Sequence, residues 1–264
     1  MKKNAAVLFF ILVLAIAGPW ISPHDYLSTN FDALLQSPGL AGMHLFGTDD
    51  LGRDLFVRTM LGIRVTLLVA FVASIVSLIV GVTYGAVAGY IGGRVDAVMM
   101  RLVDTLYALP FIFFVILLMV AFERNFLLIF IAIGAINWLD MARIVRGQTL
   151  SLRERDFVDA ARLTGVSTVR IIYRHIAPNL LGIVVVYVTL TIPQAILVES
   201  LLSFLGLGIQ EPQTSLGALV DAGVNQMEGA SWMLLIPAAL LALMLMSFNF
   251  LGDALRDYFD ARHR

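Results

Sequence analysis

From Val65 to Ile91 no residue carries a charge. A helix needs about 20 consecutive apolar residues to cross the hydrocarbon core of a bilayer. This run exceeds that length and has no polar face with which to sit on a soluble core. Five more apolar runs follow the same logic, at about 5–22, 105–122, 125–141, 180–204 and 232–251. The chain is 59% hydrophobic and 14% charged, with a mean hydropathy of +0.89, whereas a soluble domain carries about 25% charged residues. The expected fold is all-α, a polytopic membrane protein with about six transmembrane helices. A β-barrel would show alternating segments of about ten residues, and none is visible.

Positive charge sets the direction of the spans, because cytoplasmic loops are enriched in Lys and Arg. With the N-terminus inside, the inner segments hold Lys2, Lys3, Arg94, Arg101, Arg143, Arg146, Arg153, Arg155, Arg162, Arg170, Arg174, Arg256, Arg262 and Arg264. Only Arg53, Arg58, Arg64 and Arg124 fall outside. Both termini are therefore expected in the cytoplasm. Trp20, Trp138 and Trp232 fall at expected span ends, where indole rings prefer to sit. The first run has a second reading. Lys2-Lys3, an apolar stretch and Ala15-Ile16-Ala17 also form the pattern of a cleavable signal peptide. The continuation of the run through Trp20 and Ile21 favours a retained span.

Two regions follow: residues 1–63, a span plus an outer loop, and residues 64–264, a five-helix core. The loop from 23 to 63 is rich in turn formers and acids. Within it, residues 47–64 read as a short interfacial helix capped by Thr48 or Asp49. The net charge of −1 gives no attraction for nucleic acid, and with no cysteine there is no disulfide or thiolate site. The four histidines, His24, His44, His175 and His263, are far apart in sequence, so no metal site is expected from them.

Gly81, Gly85 and Gly89 recur every fourth residue in the second span. Small residues at this spacing let helix backbones approach closely in lipid. They fit a packing seam within the chain or a seam against a second membrane subunit. Pro110, Pro193 and Pro237 interrupt spans three, five and six. Each removes a backbone hydrogen bond and bends a helix, as a translocation path or simple packing would require. Glu199 is the one acid deep in an apolar run. A charge at bilayer depth costs several kcal/mol unless paired or hydrated, so it marks a path, an interface, or a hydrogen-bonded structural position near a re-entrant turn at Leu201–Ile209.

The segment from 142 to 178 is arginine-rich and polar. Phe157, Ala160, Ala161 and Thr164 share a helix face at i, i+3, i+4, i+7 spacing. Gly165 suits the left-handed residue that ends a helix. Ser167 or Thr168 can cap a second helix running to Pro178. The result is a compact helical elbow with a small-residue face, a shape for receiving force from a partner. The source of that force lies elsewhere. A phosphate-binding loop needs a lysine, and the only lysines are Lys2 and Lys3. No G-x-S-x-G elbow is present. Neither an ATPase nor an intramembrane hydrolase is expected.

Asp159-Ala160-Ala161, Gly165 and Ile176-Ala177-Pro178 resemble the E-A-A-x-x-x-G…I-x-L-P signature of permease subunits in binding-protein-dependent ABC importers. Asp stands in place of Glu, and Ala177 in place of leucine. Phe46–Asp54, Gly92–Asp96, Glu199–Gly208 and Asn249–Asp257 are similar to the second, C-type permease of the oligopeptide/dipeptide/nickel group. The resemblance implies a type I importer permease fold in a bacterial cytoplasmic (inner) membrane. It implies four kinds of neighbour: the lipid bilayer, a second homologous permease, two ATP-binding cassette ATPases that carry the ATP and Mg, and an extracytoplasmic solute-binding protein. It makes residues 154–170 the coupling helix, with Phe157, Asp159, Ala160, Ala161, Thr164 and Gly165 facing the ATPase. Glu199, Pro193 and Asn249 become path or interface positions. The cargo would be peptides, with nickel or another small solute as the alternative. The contrasting class is a secondary transporter driven by an ion gradient, which usually shows internal repeats and several midplane ionisable groups; a non-transporting anchor or sensor is a third.

Overall fold

The computed structural model describes residues 2–122 and 126–262. Arg124, His263 and Arg264, named above, lie outside the described residues. Ten α-helices order the rest: α1 (Lys2–Ile21), α2 (Leu55–Ile91), α3 (Gly93–Tyr107), α4 (Phe111–Phe122), α5 (Phe126–Leu152), α6 (Asp156–Leu163), α7 (Thr168–Ile171), α8 (Ala177–Phe204), α9 (Leu216–Asn225) and α10 (Trp232–Arg262). Among the described residues there is no β-strand, only an isolated bridge between Thr48 and Asp54.

The six expected spans fall on α1, α2, α4, α5, α8 and α10. The stretches Leu55–Ile91, Thr168–Phe204 and Trp232–Phe259 are long and apolar enough to cross a membrane, and Ala5–Ile21 is a shorter apolar helix. The helix bounds differ from the sequence reading in several places; α5 runs on to Leu152 and α10 to Arg262, past the expected ends near 141 and 251. The chain breaks at Ala108–Pro110, so the third span starts at Phe111, and Pro110 precedes it instead of interrupting it. Proline lacks the donor and disfavours a helical residue before it. The helix in front, α3, is a separate amphipathic element. Residues 55–64 form no interfacial helix of their own; they are the first turns of α2. The cap there is Asp54, whose Oδ1 accepts from the Val57 amide at 2.8 Å.

The chain forms two compact units, Met1–Ala70 with Pro193–Leu251, and Phe71–Ile192 with Gly252–Arg264. The division expected at residues 63 and 64 falls inside α2. In the first unit, α1 lies against the start of α2. Pro19 sits inside α1 and has no amide to offer the carbonyl of Ala15. Arg64 takes that place: its Nε donates to the Ala15 oxygen at 2.5 Å and its Nη2 to the Ile16 oxygen at 2.6 Å. Thr48 and Asp49, expected as caps, instead fold the preceding loop. Thr48 Oγ1 donates to the Ala33 carbonyl and accepts from the Gln36 amide. Asp49 Oδ1 accepts from the amides of Leu51 and Arg53, both at 2.9 Å.

In the second unit, Gly81, Gly85 and Gly89 all face α5. A Cβ at Gly81 would lie 2.6 Å from the Met141 Cβ, one at Gly89 would lie 2.8 Å from the Arg146 carbonyl oxygen, and one at Gly85 would collide with the carbonyl oxygen of Ala142. The three glycines are thus a seam within this chain. On another side of α5, Arg146 grips Asp96 of α3 through two hydrogen bonds, at 2.5 and 2.6 Å. Arg143 pairs with Asp104 at 2.7 Å and lies over the Tyr107 ring. These two ion pairs fasten the amphipathic α3 along the polar end of α5.

Candidate functional site

The elbow after α5 is built on an apolar base. Val158 and Ala161 of α6, Ile171 of α7, and Ile172, Ile176, Leu180 and Val184 beyond it pack with Ala86, Tyr90, Met141 and Val145. Helix α6 ends in a glycine stop. The Val166 amide donates to the Ala161 carbonyl at 3.1 Å and the Gly165 amide to the Arg162 carbonyl at 3.0 Å. Gly165 has φ +77°, so the turn requires a residue that tolerates the left-handed region. Ser167 takes the N-cap position of α7, although its hydroxyl makes no capping bond.

Seating the elbow this way changes its exposed face. Ala161 is only 7% exposed and points into the base with Val158. The sequence reading placed it outward with Phe157, Ala160 and Thr164. An eight-residue helix with alanines at adjacent positions can be read on either face, and the isoleucines of α7 and the following turn decide for Val158 and Ala161. Phe157, Asp159, Ala160 and Thr164 remain exposed. Leu163, which sequence reasoning missed, is 89% exposed. Its signal was available: a leucine in the last turn of a polar helix, three residues after Ala160, extends the small exposed face. Asp159 pairs with Arg162 at 3.1 Å. The Nε of Arg162 in turn donates to the Tyr90 hydroxyl at 3.2 Å, and its guanidinium lies 5.1 Å from the centre of the Tyr90 ring. Helix α6 also begins where expected only approximately, at Asp156 and not Glu154.

The second helix of the elbow does not stop at Pro178. Residues Ile172–Ile176 form a π-turn, in which the Ala177 amide reaches back to the Ile172 carbonyl, and the chain continues directly into α8. A π-turn places one extra residue in the helix and loosens the ladder where the proline ring has to fit. Asn179 Nδ2 donates to the His175 carbonyl at 2.6 Å, one turn back.

The path or interface candidates separate. Glu199 is 0% exposed and held by hydroxyls: Ser203 donates to it at 2.7 Å and Thr66 at 3.3 Å. Thr66 also accepts from the Leu216 amide at 3.1 Å, and Ser215 caps α9 through the Ala218 amide at 3.1 Å. Glu199 therefore occupies the hydrogen-bonded structural position and organises the start of α9. Pro193 is buried, whereas Asn249 is exposed on α10. Beyond α8 the chain makes a second glycine stop at Gly206, with φ +71° and a Leu207 amide to Leu202 carbonyl bond of 2.8 Å.

The loop that follows is clamped to the start of α2. Arg53 bridges Asp49 at 2.7 Å and Glu211 at 2.9 Å, and Arg58 meets Glu211 at 2.8 Å. Burial opposes the charge of Glu211, but the guanidiniums of Arg58 and Arg53 outweigh it and hold the carboxyl below its ordinary range. Two of the histidines also come together despite their separation in sequence. The rings of His24 and His44 stack with centroids 4.2 Å apart and planes 16° from parallel, and His44 Nδ1 lies 2.8 Å from Asp54. All three side chains offer ligand atoms within 4.8 Å of one another. The stacked rings hold their nitrogen lone pairs in nearly parallel planes, and His24 Nε2 is already 2.8 Å from the Gly42 carbonyl, which suits a packing cluster better than a tetrahedral metal cage.

Comparison with known proteins bears on the whole chain. Residues 81–264 match the family model described as binding-protein-dependent transport system inner membrane component. Residues 5–38 match the N-terminal TM domain of oligopeptide transport permease C. The oligopeptide transport system permease protein OppC of Escherichia coli K12 is 53% identical over 100% of this chain and 89% of that protein. The dipeptide transport system permease protein DppC of Bacillus subtilis 168 is 43% identical over 100% of this chain and 84% of that protein. Among solved structures, a chain of the MetNI methionine ABC transporter in an inward-facing conformation aligns with a TM-score of 0.59 at 18% identity, covering 78% of this chain and 96% of that one. That last likeness concerns the fold.

Proposed function

The chain belongs to the family of binding-protein-dependent transport system inner membrane components, and on that premise we propose that it forms half of the translocation path of a peptide importer. Relatives named as oligopeptide and dipeptide permeases support the cargo class. The observation that carries the coupling role is the elbow. Helix α6 keeps Val158 and Ala161 on a buried base while Phe157, Ala160, Leu163 and Thr164 face outward. A short helix anchored on one side and bare on the other transmits a push without unfolding.

Two ATP-binding cassette ATPases, binding ATP and Mg, supply that push in this reading. The chain has only Lys2 and Lys3, neither placed in a phosphate-binding loop. In this reading the elbow and both termini lie on the cytoplasmic side, and the excess of Lys and Arg in those segments supports it. A homologous permease completes the path, and a solute-binding protein delivers cargo from outside. Closure of the ATPases then biases a two-state membrane assembly through the elbow. In this reading α1 is a retained span, and the bonds from Arg64 to the carbonyls of Ala15 and Ile16 support it.

The test is reconstitution of the chain with its companion permease, the ATPase pair and the receptor in proteoliposomes. Tripeptide uptake is expected to require ATP and to survive an uncoupler. Uptake that runs without ATP and collapses with the uncoupler rejects the reading in favour of an ion-driven transporter.

A further inference from the structure

In the first unit, the loop after α1 closes a tight turn between Gly39 and His44. The Gly39 amide donates to the His44 carbonyl at 3.0 Å and the Met43 amide to the Leu40 carbonyl at 3.1 Å. At its tip Leu40 is 83% exposed and Met43 61%. Met43 has φ +59°, in the left-handed region that a residue with a side chain rarely takes. The base is fixed. His44 is buried, stacks on His24 and lies 2.8 Å from Asp54, the cap of α2. Two apolar side chains are thus held out on a clamped, strained turn.

Two contacts set the level of this turn against the bilayer. The Gly42 carbonyl is 2.8 Å from Nε2 of His24, three residues past the end of α1. The Gly47 amide donates to the His44 carbonyl, and Trp232, the first residue of α10, reaches the neighbouring Thr48 carbonyl at 3.4 Å. The turn therefore hangs between the ends of two spans, a level marked by the indoles of Trp20 and Trp232. The apolar part of α1, Ala5–Ile21, is about 26 Å long at 1.5 Å per residue. The hydrocarbon core is about 30 Å thick, and any tilt of α1 enlarges the shortfall. With Lys2 and Lys3 holding the other end at the surface, the acyl boundary falls past Ile21, toward His24.

We propose that residues 39–44 form a membrane finger, which inserts Leu40 and Met43 into the headgroup–acyl boundary beside the end of α1. Lipid is the occupant because the finger fills the thickness that α1 leaves unspanned. The contact is apolar and not electrostatic. No Lys or Arg occurs between Asn4 and Gly52, while Asp25, Asp32, Asp49 and Asp50 do. Through His44 and Asp54 the grip fixes the first turn of α2 relative to the bilayer. The inference rests on α1 being a retained span.

The chain has no cysteine, so Leu40→Cys, Met43→Cys and Phe9→Cys each take a single nitroxide before the chain is assembled with its companions in nanodiscs. Depth is read by power saturation with oxygen and a water-soluble nickel chelate. The label at Phe9, exposed on α1, reports the span, and the intact mass reports whether α1 is present. In dioleoylphosphatidylcholine the labels at 40 and 43 should lie about 5–10 Å inside the interface. In dilauroylphosphatidylcholine, whose core is thinner, they should move toward water. Water-exposed labels at both positions in the thicker bilayer, or a depth that ignores thickness, would overturn the proposal. So would shielding from both relaxants, which marks a covering protein such as a receptor or the second permease. A mature mass without α1 removes the retained span and the finger together, whereas water-exposed labels with α1 present remove the finger alone. If the labelled chains fail to assemble, a phosphatidylcholine with a diazirine in its acyl chain decides on the wild-type complex. Adducts on Leu40 or Met43 support the finger, and adducts confined to the spans reject it.

Discussion

The hydroxyl of Tyr90, at the end of α2, accepts a hydrogen bond from Arg162 Nε at 3.2 Å, joining the glycine-lined helix to the elbow. The same guanidinium reaches Asp159 at 3.1 Å. One arginine therefore links the exposed polar side of α6 to the helix whose glycines pack on α5. Tyr90→Phe removes the acceptor and keeps the ring. A hydrogen bond to a charged group contributes about 1.5–3 kcal/mol at most, less where water competes, so ATP-dependent uptake should fall roughly two- to tenfold with membrane insertion unchanged. Uptake at the wild-type level would remove Tyr90 from the coupling route.

Exposed and buried alanines of the elbow should behave differently. Ala160→Arg and Leu163→Glu alter the outward face, and each should abolish co-purification with the ATPases while leaving thermal stability as it was. Ala161→Arg forces a charge into the apolar base and should lower stability by several kcal/mol, seen as poor recovery from the membrane. Equal stability of Ala160→Arg and Ala161→Arg in a detergent melting assay would contradict the burial of Ala161.

The glycine seam makes a stability prediction. Gly85→Ala drives a methyl into the carbonyl oxygen of Ala142, so α2 and α5 have to separate. Overpacking of this kind costs about 1–3 kcal/mol. Gly165→Ala meets no neighbouring atom, so its cost is the positive φ alone, about 1–2 kcal/mol. Thermal unfolding of the purified variants measures both.

Pro19 and Arg64 form a double-mutant pair. Arg64→Ala leaves the Ala15 carbonyl without a donor and should destabilise the attachment of α1 by about 1–3 kcal/mol. Pro19→Ala restores an amide at that place, so the loss on Arg64→Ala should shrink in its background. Additive losses in the cycle would show that Arg64 acts elsewhere.

Acid should open the clamp at Glu211. Its carboxyl is held below the ordinary range, so the stabilisation it gives is fully present above the unfolded carboxylate value near 4.3. It disappears as pH falls through the lower folded value. Protease cleavage in the 205–214 loop should therefore rise below about pH 4. Glu211→Gln should show the fast cleavage at neutral pH and little further change in acid. An acid response that persists in Glu211→Gln would assign it to another group.

Hydropathy made the helices legible, because in lipid a charge-free run has few alternatives to a helix. Val65–Ile91 and the glycines within it could be placed on that basis alone. Tertiary pairings were not legible. Thr66 and Glu199 are 133 residues apart; Ser203, one turn on in α8, follows from spacing, but nothing local to Glu199 indicates that Thr66 and Ser215 will join it. The arginines of the 142–178 segment looked alike in sequence, yet Arg146 and Arg143 bind α3 while Arg162 binds Tyr90. Ala161 was misplaced because alanine fits a surface or a core equally well. Its burial follows from Ile171, Ile172 and Ile176, which only the turn at Gly165 brings beneath it.

The wide turn at Ile172–Ile176 holds one residue more than an ordinary helical turn. Closing that surplus into an ordinary turn would swivel everything ahead of it by about 100° about the helix axis, with α8 left wound. Under the coupling role proposed above, a torque at the elbow would be taken up a few residues before Pro178, and the rod behind it would have no need to unwind.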